Sequence, residues 1–239
     1  MTRHCAAWLL PLALCACARQ PQAVADTAST PPTPVSTPMQ RAAEAPPATT
    51  ADLAANASYV LPGAFAPDMD AERLARRFGK GNVRIGEVPG AEGERVDGAV
   101  LFPDDPARRA YLYFEDAQRN TGLALVRVFD QGSRWRLDNG IGLGTPLSKL
   151  VALNGKPIRF FGLGWDYGGT ISDWGGGRLD PGNDPIRRNM TLGARADIGD
   201  RPYPMGDGEF ASDDPKYPNL GTDLVVDGIS VSFPGEDDL

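Results

Sequence analysis

All three cysteines of the 239-residue chain, Cys5, Cys15 and Cys17, and its only histidine, His4, stand in the first 17 positions. Everything after Cys17 must therefore fold without a disulfide. It is also denied a Ser-His-Asp triad, a Cys-His pair and the usual His or Cys zinc sites. Such a domain is held by its apolar core alone. The 181 residues from Tyr59 onward suffice, since chains of that size bury about 70% of the surface they expose when unfolded. An enzyme built from them would have to run on carboxylates. The inventory points away from catalysis: no catalytic residue, metal or cofactor is expected.

The first residues, MTRHCAAWLLPLALCACARQ, place Arg3 before an apolar run of twelve residues, Cys5 to Ala16. That is short of the roughly 20 residues a membrane-spanning helix needs and fits a secretory signal segment. Leu14-Cys15-Ala16-Cys17 resembles the lipobox of bacterial lipoproteins, with an aliphatic residue at −3, small residues at −2 and −1, then Cys. The resemblance implies a signal peptide over 1–16 and lipid attachment at Cys17. Cys15 fits less well, because Leu14 would stand at −1. Ala18 in the position after the lipidated Cys implies the outer membrane, with the domain facing the periplasm. Ordinary signal cleavage and an uncleaved anchor are the competing readings. Several acyl chains on one Cys would anchor stably, where one chain alone is marginal.

Residues 18–58 are rich in Ala, Pro and Thr, as in "TASTPPTPVSTPMQ", with neither helical nor strand period. They are expected to be a disordered tether, completing a segment 17–58 before a domain at 59–239. Forty-one residues reach roughly 35 Å as a coil and about 125 Å as polyproline II, so a partner can lie well off the membrane. The first 58 residues carry three basic and three acidic side chains, so the whole formal charge of −7 belongs to the domain. That balance argues against nucleic acid, which needs a basic footprint, and is compatible with a basic protein partner.

The domain echoes itself at a spacing of 76. Leu61 falls on Leu137, Phe65 on Ile141, Leu74 on Leu150, Gly79 on Gly155 and Lys80 on Lys156. Ala71, Leu74, Ala75 and Phe78 mark one helical face, and Leu147, Leu150 and Val151 repeat it. Asp68 is the expected N-cap of the first helix. Thr145-Pro146 should open the second, and Gly79 and Gly155 should end the two. Strand-like runs occupy Ala110 to Phe114, Leu123 to Phe129, Asn189 to Arg195 and Leu224 to Phe233, with Asp227-Gly228 a turn or a bend in the last. The expected fold is α+β: two tandem helix-plus-antiparallel-strand units, about 59–134 and 135–239, forming one mainly β domain.

"GIGLGTPLSKLVALNGKP" (140–157) resembles the repeat of small envelope lipoproteins with β-lactamase-inhibitor-like folds, including outer-membrane assembly factors. The stretch 101–179 also resembles uncharacterised bacterial lipoproteins, a family that carries no function to transfer. The first resemblance implies a protein-binding scaffold with an envelope protein as partner.

"FFGLGWDYGGTISDWGGG" (160–177) packs seven glycines and five aromatics into eighteen positions. A dinucleotide-binding loop must open a helix, yet the residues after Gly168 have no helical face. Nor does Gly140-Ile141-Gly142-Leu143-Gly144 carry the Lys-Ser/Thr of a phosphate loop. Corners and bulges in a sheet explain the glycines better. Trp165, Asp166, Tyr167, Asp173 and Trp174 remain the candidate ligand- or partner-binding residues. Aromatics beside carboxylates hold sugars or anchor protein interfaces, so cell-wall glycan is the alternative ligand, with Asp166 and Asp173 as a conceivable hydrolytic pair. The opposing reading makes the indoles core and the aspartates turn caps. The acidic loop with Asp207, Glu209, Asp213 and Asp214 lacks EF-hand spacing and reads as solvated.

Overall fold

Asp70 sets the first helix. Its carboxylate accepts the Arg73 N–H at 2.7 Å, and α1 runs Ala71–Phe78 with Leu74 and Phe78 buried. Asp68, the expected cap, instead pairs with the Arg73 guanidinium. The two are close enough in sequence that either could cap. Asp70 wins because it stands directly before the first helical residue. The computed structural model describes residues 59–234. The expected signal peptide, Cys17 and the tether lie outside the described residues.

The elements after β1 (Val60–Leu61) and α1 are a 3₁₀ turn, then β2 (Val83–Pro89), β3 (Arg95–Leu101), β4 (Ala110–Asp116), β5 (Thr121–Val128) and β6 (Arg136–Leu137). Next come α2 (Leu147–Asn154), β7 (Arg159–Phe161), β8 (Ile171–Asp173), β9 (Arg187–Ala194), β10 (Glu209–Ala211), α3 (Leu220–Asp223) and β11 (Leu224–Ser232). The fold is α+β and mainly β, as expected. An antiparallel six-stranded sheet runs β2-β3-β4-β5-β11-β9, so strands of the second half complete the sheet begun by the first. A small sheet, β10-β7-β8, lies against the β9 edge through a bridge between Thr170 and Thr191.

The echoed segments meet. β1 and β6 pair in parallel with Leu61 directly opposite Leu137, partners 76 residues apart. Both are buried, as are Phe65 with Ile141 and Leu74 with Leu150. The copies then diverge: Phe160, which falls on Ile85 once one residue is skipped, is buried in the small sheet, while Ile85 stands exposed at the edge of the large one. Gly155 ends α2 in the left-handed region, at φ 81°. Thr145 does not cap it. Its hydroxyl turns back to accept the Gly142 N–H at 3.2 Å, leaving Pro146 at the cap position.

The sheet buries one face. Ala110, Leu112 and Phe114 alternate inward on β4, the period-2 pattern of a strand with one covered side. On β11 the buried residues are Leu224 and Val226, then Ile229 and Val231, so their parity changes midway. A regular strand would turn one pair outward. The register shift between Val226 and Gly228 absorbs the extra residue and keeps all four in the core. Asp227-Gly228 is thus a bulge, the bend of the two readings, within one continuous strand, and not a hairpin turn.

Candidate functional site

The candidate site grows from the connection between β7 and β8. Phe160 pairs with Ile171 and Arg159 with Asp173, leaving residues 162–170 to fold back as a loop. Two bonds close it: Gly168 N–H to Trp165 O at 2.9 Å and Thr170 N–H to Tyr167 O at 3.1 Å. A second segment is stitched alongside, by Leu163 N–H to Pro204 O and Gly206 N–H to Leu163 O, both 2.9 Å. That stitch sets Met205 over Gly164, where a Cβ would meet the Met205 methyl at 2.6 Å.

Trp165 is 37% exposed, and its indole N–H is spent within the loop on Gly162 O at 2.8 Å. Its ring meets Phe161 edge-on at 5.8 Å and Tyr167 at 5.4 Å. Tyr167 is 62% and Met205 55% exposed. Ser172 and Arg159 support the hairpin from behind, each donating to Glu209 at 2.6 Å. These bonds, the serine's first, hold the Glu209 carboxyl below its ordinary range. One carboxylate of the acidic loop is therefore a clasp between β10 and the hairpin.

The five sequence-predicted residues divide. Trp165, Asp166 and Tyr167 share the exposed loop. Asp173 lies at the far end of the hairpin, opposite Arg159, where its carboxylate accepts the Gly175 N–H at 2.7 Å. Three residues of extended chain, roughly 10 Å, separate Asp173 from Thr170, and Asp166 lies further round the loop. Trp174 is 9% exposed and belongs to the core. The carboxylates are not set as a facing pair, and only one of the two indoles reaches solvent.

One open cleft adjoins this loop and a second adjoins the first. One, of about 590 Å³, is lined by Leu163, Trp165, Leu192, Ala194, Tyr203, Met205 and Asp227, among others. The next, of about 550 Å³, is lined by Gln131, Val225, Arg195 and Asp197 and shares Ala194 and Asp227 with the first. Gln131 Nε2 donates to Asp227 Oδ1 at 2.6 Å, while Arg195 is occupied by Asp197 at 2.7 and 2.9 Å. Among the described residues Asp227, between the clefts, therefore has no salt-bridge partner. Met205, Tyr203, Ala194 and Asp227 were not among the binding residues expected from the sequence. Met205 is an apolar residue within an acidic loop, which is the one signal it carries. Among the described residues no group of three or more His, Cys, Asp or Glu is placed to hold a metal ion. No helix there is long and apolar enough to cross a membrane.

No family model and no curated protein matches the chain. Among solved structures it is similar to the uncharacterized protein yfeY from Escherichia coli, at 14% identity over 63% of this chain and 78% of that one, with a TM-score of 0.32. A likeness of that size carries no argument about what either protein does.

Proposed function

We propose that the chain is a lipid-anchored protein of the cell envelope, held in the outer membrane through Cys17 and facing the periplasm, whose domain binds another envelope protein through the Trp165–Tyr167–Met205 face. One observation carries the binding part. The large hydrophobic side chains left exposed among the described residues are Ile85, Val96, Trp165, Tyr167 and Met205, and the last three gather on one loop pair beside a cleft. Aromatics and Met are what protein interfaces concentrate, and Trp and Tyr are among the residues that dominate their binding energy. The lipobox and tether support the location. A glycan-hydrolysing role finds less support, because Asp166 and Asp173 lie at different ends of the hairpin.

The anchor and the binding face are tested separately. Cys17→Ser should abolish palmitate labelling and release the protein from membranes; labelling that persists contradicts the anchor. Detergent-extracted full-length protein should then capture one dominant envelope protein. Trp165→Ala should weaken that capture by about 30-fold, the size of an interface hot spot, with the melting transition nearly unchanged. Capture indifferent to Trp165, or retention of cell-wall fragments in place of a protein, overturns the reading.

A further inference from the structure

Beyond Leu192 the edge of β9 has a gap at Ala194, and the gap opens into both clefts. Val226 N–H donates to Thr145 O and its carbonyl accepts from Gly144, each at 2.8 Å, so Val226 faces away from β9. Leu192, paired with Val226, likewise turns its N–H outward, to Gly169 O at 2.8 Å. Alternation along an antiparallel ladder then directs the N–H and C=O of Ala194 out of the same free edge. Among the described residues neither group is paired. The chain that covers Leu192 would have covered Ala194 next, but it folds back at Gly168. Ala194 lines both clefts, so open space stands outside it.

We infer that this gap receives an extended segment of the partner, added to β9 as a short strand; the inference rests on the protein-binding reading above. Strand addition takes affinity from main-chain bonds and specificity from pockets for the side chains. Here the main-chain bonds are the two of Ala194. A chain crossing it runs from the cleft that holds the large side chains of Trp165, Tyr203 and Met205 into the one that holds Gln131, Arg195 and Asp197, past Asp227. The occupant therefore carries a large apolar residue and, within a few positions of it, a Lys or Arg. The basic residue is required by charge: Arg195 is neutralised by Asp197, whereas among the described residues Asp227 has no cationic partner and bonds to the uncharged Gln131.

Random dodecapeptides displayed on phage, selected against the full-length protein, test this. The selected peptides should share an apolar residue with a nearby Lys or Arg, and Asp227→Asn should remove the preference for the basic one. A synthetic peptide of that motif should slow exchange of the Ala194 amide at least tenfold. Ala194→Pro, which removes the donor at an edge position where Pro is tolerated, should lower its affinity at least tenfold, and Ala194→Ser should leave it within twofold. Peptides without a shared motif, or an Ala194 amide that exchanges at an unchanged rate when peptide saturates the protein, overturn the inference. Capture of an envelope protein that needs Trp165 but tolerates Ala194→Pro also overturns it, while leaving the parent reading intact. Loss of Trp165 dependence would instead remove the parent reading.

Discussion

At Gly169 the backbone adopts φ 76°, and a Cβ there would collide with the Leu192 carbonyl at the seam between the small sheet and β9. Gly132 shares the conformation, at φ 78°, but nothing lies within 4 Å of its would-be Cβ. The left-handed region alone costs a non-glycine residue about 1–2 kcal/mol. Gly132→Ala is expected to lose roughly that much. Gly169→Ala should lose at least about 3 kcal/mol, because the seam must also open. Urea denaturation of the two variants separates conformation from crowding; equal losses would mean that the seam is not tight. A glycine-rich run announces such corners, but which glycine is crowded depends on a strand 23 residues downstream, and no local pattern reports it. The same holds for the two tryptophans. Trp165 and Trp174 stand in one run with similar neighbours, yet one is 37% and the other 9% exposed.

Asn154 ends α2 as a joint between elements. Its amide nitrogen donates to Lys156 O at 2.9 Å and Trp174 O at 2.8 Å, its side-chain oxygen accepts the Leu179 N–H at 3.1 Å, and it is 1% exposed. Asn154→Leu would leave three backbone groups without partners at a cost of about 1–3 kcal/mol for each one buried. A total loss of about 3 kcal/mol is expected, and a change under about 1 kcal/mol in the urea midpoint series would contradict the role. Helices with a clear apolar face and strands with a period of two were legible in the sequence, and most appear within a few residues of their expected bounds. β3 and β10 were not. β3 reads Arg-Val-Asp-Gly-Ala-Val-Leu, with its first three residues exposed on a hairpin extending past β4, so half of its alternation is missing. β10 has only three residues, too few to show a period. The β11 bulge reads in the sequence only as a turn or a bend at Asp227-Gly228, because the unbroken apolar run Leu224-Val225-Val226 hides the parity change.

The whole domain should respond to pH only at the extremes. Hydrogen bonds lower several carboxyls in the fold: from Arg108 to Asp105, from the Arg119 N–H to Asp116, from the Ile186 N–H to Asp184 and from Arg195 to Asp197. A carboxyl lowered in the folded state adds stability above its unfolded pKa, about 4, and that stability fades as pH falls through the folded values. Burial raises Tyr111 and Tyr113, so their contribution is present below about pH 10 and fades above it. No His or Cys lies beyond position 17. Urea midpoints should therefore stay level from about pH 5 to 9 and fall below about pH 4 and above about pH 10. A step near pH 6–7 would contradict this.

At this largest scale the proposed binding face is assembled from segments 40 residues apart, Trp165 with Tyr167 and then Met205, which is why only its aromatic half was legible in the sequence. The most direct test is photo-crosslinking in living cells. A photoreactive amino acid would replace Tyr167 in one strain, Met205 in a second and Ile85, on the distant edge strand β2, in a third. The account predicts one discrete protein adduct of the same mass at positions 167 and 205 and none at 85. Adducts equally strong at all three positions, or none at 167 and 205, would contradict the claim that this face is where the protein meets its partner.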